Sequence, residues 1–196
     1  MRRPVIIAAA AVLLVALGVA AYSLGVIARG APDLHGTAVE AAPSVADVSL
    51  VAAGGEPVNL GDYRGEHLLV FFGYTNCPDV CPLTMARLST IYRDLGEPDD
   101  LQVVMITVDP DRDSPKVVDE YASSFHPAFQ GLGGSEAALD AAAERFYIGH
   151  HGDGHGVIMH SSQVLLVDPR GRFSRIYNEA NQAYLEADLR SLLGRS

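Results

Sequence analysis

Residues 67–82 read HLLVFFGYTNCPDVCP, and the architecture follows from this segment. His67 to Gly73 is a short, continuous apolar run, the pattern of a central strand buried on both faces. Cys81 stands directly before Pro82, and proline is favoured at the first position of a helix. From Pro82 to about Leu95, the residues Met85, Leu88, Ile91, Tyr92 and Leu95 recur at helical spacing. The two cysteines therefore sit in a turn between a buried strand and a helix start.

Outward from this unit the chain continues in the same alternation. Leu101–Val108 (LQVVMITV) is a second buried strand. Ser114-Pro115 opens a helix through about Phe125, with serine as N-cap and proline in the first turn. A further helix is predicted from Ser135 to Phe146. Val157–His160 and Gln163–Val167 read as strands, and Asp168-Pro169-Arg170-Gly171 turns the chain into a strand over Arg172–Tyr177. A closing helix covers Gln182 to Leu193. Strand and helix twice over, then a hairpin and a last helix, predict an α/β sandwich with a mixed sheet, the order of the thioredoxin-like architecture.

The N-terminus has a different character. Pro4 to Ala28 is a run of 25 residues without a charge, and a membrane-spanning helix needs roughly 20 apolar residues. A secretory signal core is shorter, roughly 7–15 residues, and ends at small residues such as those near Ala20 and Ala21. The length favours an uncleaved anchor. Arg2 and Arg3 precede the run and Arg29 alone follows it. The positive-inside rule then keeps the N-terminus in the cytoplasm and exports the rest. The expectation is a single-pass protein of the bacterial cytoplasmic membrane with its domain on the periplasmic side. Residues 1–29 are read as the anchor and 30–44 as a flexible linker with a solvated His35. Residues 45–196 are read as the folded domain.

Of 196 residues, 14 are basic and 24 acidic. Without Arg2, Arg3 and Arg29 the chain carries 11 basic groups against 24 acidic ones, a net −13. Such a surface repels phosphate backbones, which excludes nucleic-acid binding. Cys77 and Cys81 are the only cysteines, too few for a disulfide-stapled scaffold. A bridge between them would close a very short loop and add little stability. Their placement points to chemistry instead. Backbone N–H groups and the helix dipole are expected to favour a thiolate at Cys81.

Two thiolates at such a turn suit a soft metal and equally a redox pair. Thioredoxin-type sites have two residues between the cysteines, whereas three separate these. That spacing allows both a disulfide and the approach of two sulfurs to one metal. The candidate third ligand is His160, at the end of a predicted strand. Two thiolates and one imidazole suit copper, whereas a closed zinc site usually takes four ligands. In an oxidising compartment the thiols must be kept reduced or metal-bound. A thiol peroxidase shares the fold, but no arginine beside Cys77 is evident to support its chemistry.

With these residues in view, the sequence resembles the SCO/SenC family of copper-handling proteins. The resemblance is carried by Phe71-Phe72-Gly73-Tyr74-Thr75 and Cys77-Pro78-Asp79-Val80-Cys81-Pro82. Val108-Asp109-Pro110-Asp111-Arg112-Asp113-Ser114-Pro115, His160-Ser161 and Leu166-Val167-Asp168-Pro169-Arg170-Gly171 follow in family order. It covers about residues 45–195. It implies a membrane-anchored copper chaperone of thioredoxin-like fold that helps assemble the copper centre of cytochrome c oxidase. Cys77, Cys81 and His160 match the family's copper ligands. The implied partners are the oxidase's copper-site subunit, a periplasmic copper donor and a thiol reductant. Thiol–disulfide exchange at Cys77–Cys81 belongs to the same picture, and a periplasmic oxidoreductase that keeps a partner's copper-site cysteines reduced is the alternative.

Three features stand apart from the family pattern or from the ligand set. Met159 occupies the position where the family has an aspartate before the metal histidine, and strand alternation turns it away from the face of His160. His150, His151 and His155 lie in a Gly-rich loop, as an auxiliary metal site or as solvated imidazoles. Asp109, Asp111 and Asp113 with Arg112 follow the second strand at the cysteine end of the sheet, as a docking surface or as caps for the next helix. His126 before Pro127 reads as a loop residue.

Overall fold

The structure, a computed structural model, describes residues 33–148 and 162–195. The apolar run 4–28 expected to span a membrane lies outside the described residues. So do the strand expected at 157–160, the histidines 150, 151, 155 and 160, and Met159. Among the described residues no helix is long and apolar enough to cross a membrane. The chain divides into Met1–Leu34, of which only Asp33 and Leu34 are described, and a compact unit His35–Ser196 that holds every element below.

In chain order the elements are β1 (Thr37–Ala38), β2 (Ser49–Val51), β3 (Pro57–Asn59), β4 (His67–Gly73), α1 (Val80–Asp94) and β5 (Leu101–Thr107). They continue as α2 (Pro115–Phe125), β6 (Gln130–Leu132), α3 (Glu136–Arg145), β7 (Val164–Val167), β8 (Phe173–Tyr177) and α4 (Leu185–Leu192), with 3-10 turns at Leu60–Tyr63 and Gln182–Tyr184. Among the described residues six strands form one mixed sheet in the order β1-β8-β7-β4-β5-β6, and β2 pairs with β3 apart from it. β4 runs parallel to β5 and antiparallel to β7.

The continuous apolar run of β4 is explained by its place. Leu69 and Phe71 face one core with Val103, Met105, Val164 and Leu166, covered by α1, α2 and α4. Leu68, Val70 and Phe72 face a second core with Val104, Ile106, Leu165 and Val167, covered by α3 and the segment Val45–Leu60. Every inner residue of the strand is buried, so apolar side chains are required on both faces. The predicted helix starts also hold: Ser114 Oγ accepts from the Val117 N–H, and Ser135 Oγ from the Ala138 N–H.

The sheet is larger than the sequence patterns suggest. β6 escapes an apolar-run reading because it has only three residues, one of them Gly131. A Cβ at Gly131 would lie 2.3 Å from the backbone of Val118 and Asp119, so only glycine lets α2 pack this close. α1 begins at Val80, earlier than the predicted Pro82, and takes Cys81 into its first turn.

From His35 onward the segment expected to be a linker is tied into the fold, while the His35 imidazole itself stays half exposed, 53%, as a solvated side chain would. Thr37 and Ala38 pair with Ile176 and Arg175 of β8. Asp188 of α4, 2% exposed, accepts hydrogen bonds from the His35 and Gly36 backbone N–H groups. It is also 2.8 Å from His35 Nδ1 and accepts from the Tyr177 hydroxyl at 2.8 Å. The His35 ring stacks on Tyr184 at 4.3 Å. A buried carboxylate is tolerable only with such a complement of donors, and it draws the passing chain into the fold.

Burial pushes the Asp188 carboxyl up, but the hydrogen bonds from His35, Tyr177 and Gly36 outweigh it and hold the group below its ordinary value. Its stabilising contribution is therefore complete above the unfolded carboxylate value of about 4 and is lost as pH falls through the lower folded value. Asp188→Ala should cost about 3 kcal/mol, because three donors are left in a buried pocket. Urea unfolding at pH 7 and at pH 3 checks both statements: the wild type should lose more stability on acidification than the variant.

Candidate metal centre

β4 ends at Gly73, whose carbonyl accepts from the Val108 N–H at 2.9 Å, so β4 and β5 run on together to one edge of the sheet. There the chain makes a turn closed by the Cys77 N–H donating to the Tyr74 carbonyl, then enters α1. Cys77 and Cys81 are both free thiols, 8% and 1% exposed. The Cys81 N–H donates to Cys77 Sγ at 3.4 Å, so the start of α1 aims its free backbone donors at the sulfur of Cys77.

This overturns the expectation that Cys81 is the thiolate. Burial pushes the Cys81 thiol up to about 12, and its hydrogen bond to Cys77 acts in the same direction. Burial also raises Cys77, but hydrogen bonds from the Cys81 thiol, the Asp79 and Cys81 backbone and Tyr74 reverse the sign and lower it. Cys81 is in the helix, whereas Cys77 sits in front of it, where the N-terminal N–H groups act.

The sulfurs are closely housed. A Cβ on Gly73 would meet Cys81 Sγ at 3.1 Å and the Met105 methyl at 3.2 Å. Tyr121 of α2 packs against the same core cluster, and among the described residues its buried hydroxyl has no hydrogen-bond partner. Burial pushes this phenol up to about 12, with Cys81 and Cys77 adding to the shift.

The three aspartates after β5 separate into different roles. Asp111 is exposed. Asp109 is nearly buried and paired with Arg112 at 2.9 Å. Asp113, 2% exposed, accepts from the Thr75 N–H at 2.8 Å, the Thr75 hydroxyl at 2.5 Å and the Thr107 hydroxyl at 2.8 Å. It is neither a docking residue nor a helix cap, the latter being Ser114. His126 is buried against Tyr92 and Phe129, with its Nδ1 accepting from the Ala128 N–H.

Of the sequence-predicted site residues, the structure brings Cys77 and Cys81 together, and His160 lies outside the described residues. Among the described residues no group of three His, Cys, Asp or Glu side chains is disposed to hold a metal. Two adjacent soft sulfurs fit a monovalent copper ion better than a hard cation, which prefers oxygen.

A mixed sheet with a cysteine pair at the turn between a central strand and its following helix defines a protein of the thioredoxin-like class with a two-sulfur site. The chain belongs to the SCO1/SenC family, whose model matches residues 37–194. It is 34% identical over 134 residues to an SCO2-like protein of Rickettsia felis, covering 65% of each chain. It is also 34% identical over 152 residues to the mitochondrial SCO2 homolog of Mus musculus, covering 74% of this chain and 60% of that one. The chain thus spans less than two thirds of the length of these two relatives. Apo Sco1 of Thermus thermophilus superposes with a TM-score of 0.67 at 33% identity, over 82% of this chain and 96% of that one. Bradyrhizobium japonicum ScoI, solved with copper bound, gives 0.61 at 32% identity over 73% and 95%.

The unequal thiols should react unequally. Limited carboxymethylation of the reduced protein at pH 8 should label Cys77 at least about tenfold faster than Cys81, read from the modified peptides by mass spectrometry.

Proposed function

We propose that this chain is a copper chaperone that binds one copper ion through Cys77, Cys81 and His160 and helps assemble the copper centre of cytochrome c oxidase. The observation that carries the reading is the pair of adjacent free thiols at the strand-to-helix turn of a family member. Proteins of this family are involved in copper binding and oxidase assembly. The copper-bound structures of Bradyrhizobium japonicum ScoI and yeast Sco1 support copper as the cargo here.

Two observations support His160 as the third ligand. Val164 opens β7 opposite Phe71, at the edge where β4 runs out to the cysteines. The Ser162 carbonyl accepts from Gln182 Nε2, and Gln182 in turn accepts from Arg87 of α1, the helix that carries Cys81. His160 precedes Ser162 by two residues in the chain. The run 4–28 supports a single-pass anchor in a bacterial cytoplasmic membrane with the domain on the periplasmic side. An oxidase copper-site subunit, a copper donor and a thiol reductant are the partners this reading requires.

A second reading, a thiol–disulfide oxidoreductase that keeps a partner's copper-site cysteines reduced, is favoured by the inequality of the thiols: a lowered Cys77 attacks while a protonated Cys81 waits to resolve. The two readings use alternative states of one pair, and His160 separates them. Anaerobic Cu(I) titration of the reduced full chain in detergent should give one tight equivalent. Cys77→Ser or Cys81→Ser should abolish it, and His160→Ala should weaken it at least about tenfold. A His160→Ala variant with unchanged copper binding, or a wild type without a tight equivalent, would favour the oxidoreductase.

A further inference from the structure

We propose that Asp113 is the positioning residue of the two-sulfur site, holding the turn that carries Cys77 in register with Cys81. The inference deepens the reading of Cys77 and Cys81 as a working pair and rests on it. The two cysteines are carried by different structures. Cys81 is fixed within the first turn of α1, whereas Cys77 hangs on the turn before it. Asp113 is the side chain that grips that turn. Its Oδ2 accepts from the Thr75 N–H and the Thr107 hydroxyl, and its Oδ1 accepts from the Thr75 hydroxyl.

Thr107 is the last residue of β5, and its hydroxyl oxygen also accepts from the Asp109 N–H. One buried carboxylate thus ties three segments together: the cysteine turn, the end of the neighbouring strand and the start of α2. Thr75 lies two residues before Cys77, inside the turn closed by the Tyr74 carbonyl and the Cys77 N–H. Releasing Thr75 frees that turn to move, and Cys77 Sγ with it, relative to the Cys81 N–H it now meets at 3.4 Å. The effect is geometric. An amide at position 113 can still accept on one oxygen from the Thr75 N–H and the Thr107 hydroxyl, while its NH2 donates to the Thr75 hydroxyl oxygen.

The pair's dithiol–disulfide equilibrium reads this geometry without any metal. Oxidised glutathione takes two electrons from the dithiol, forming the Cys77–Cys81 bond and releasing two reduced glutathione molecules with the two thiol protons. A looser turn lowers the effective concentration of one sulfur at the other. In the full chain in detergent, Asp113→Ala should lower the equilibrium constant for disulfide formation about tenfold, which is about 30 mV for a two-electron couple. Asp113→Asn should stay within about threefold of wild type, and Thr75→Val, which removes one of the three bonds, should fall between them.

Cu(I) affinity measured on the same variants should follow the same order. Loss of the copper trend with retention of the thiol trend would count against the copper reading alone. Thermal unfolding accompanies each measurement. If Asp113→Ala does not fold, Thr75→Val and Thr107→Val carry the test. A folded Asp113→Ala with an unchanged thiol equilibrium would overturn the proposal. So would an Asp113→Asn variant as impaired as the alanine, which would show that the charge matters and not the position. Unchanged equilibria in both threonine variants would overturn it as well.

Discussion

β4 hydrogen-bonds along both edges and packs on both faces, and most of the molecule is arranged around that double demand. Its alternate residues supply two separate cores, so each helix that covers the sheet is held by a strand common to both. Parallel pairing with β5 brings the ends of two strands, and the loops that follow them, to one edge. Antiparallel pairing with β7 makes the next strand begin at that edge as well. A site at this edge is assembled from the ends of a rigid frame, and only short turns must be fixed separately.

Those turns are fixed by polar groups withdrawn from water. Asp113 and Asp188 are both buried carboxylates, each meeting donors from more than one segment of the chain. In each case the surrounding N–H and O–H groups make a charge acceptable where hydrophobic packing alone would exclude it. The same principle, with weaker partners, separates the two thiols. Cys81 is enclosed by apolar neighbours, whereas Cys77 receives backbone donors at the mouth of α1.

The parts of the fold legible in the sequence are those whose patterns extend over several residues. The runs at 67–73 and 101–107 and the helical spacing from Met85 to Leu95 identify the central strands and α1, because burial on a sheet or helix face repeats with a fixed period. β1 and β6, of two and three residues, have too few positions to show a period, and what makes them strands is the neighbour they pair with. Cys77 and Cys81 are legible as a pair by their spacing. Their order of acidity is not, since it depends on which sulfur the helix start faces and how deeply each is enclosed. Asp113 is hidden for a similar reason: in the run Asp109-Pro110-Asp111-Arg112-Asp113 every carboxylate looks solvated, and only the threonines that converge on the last one distinguish it. His35 is concealed by its polar surroundings in the same way.

The pairing of β1 also determines where the chain enters the domain. Thr37 lies opposite Ile176, Tyr177 opposite Val164, and Val164 opposite Phe71, so Gly36 sits at the end of the sheet that carries the cysteines. β1 and β4 are three strand spacings apart in the sheet order, roughly 15 Å. The chain therefore enters the sheet at the cysteine pole and not at the opposite one, where His67, Leu101 and Val167 lie.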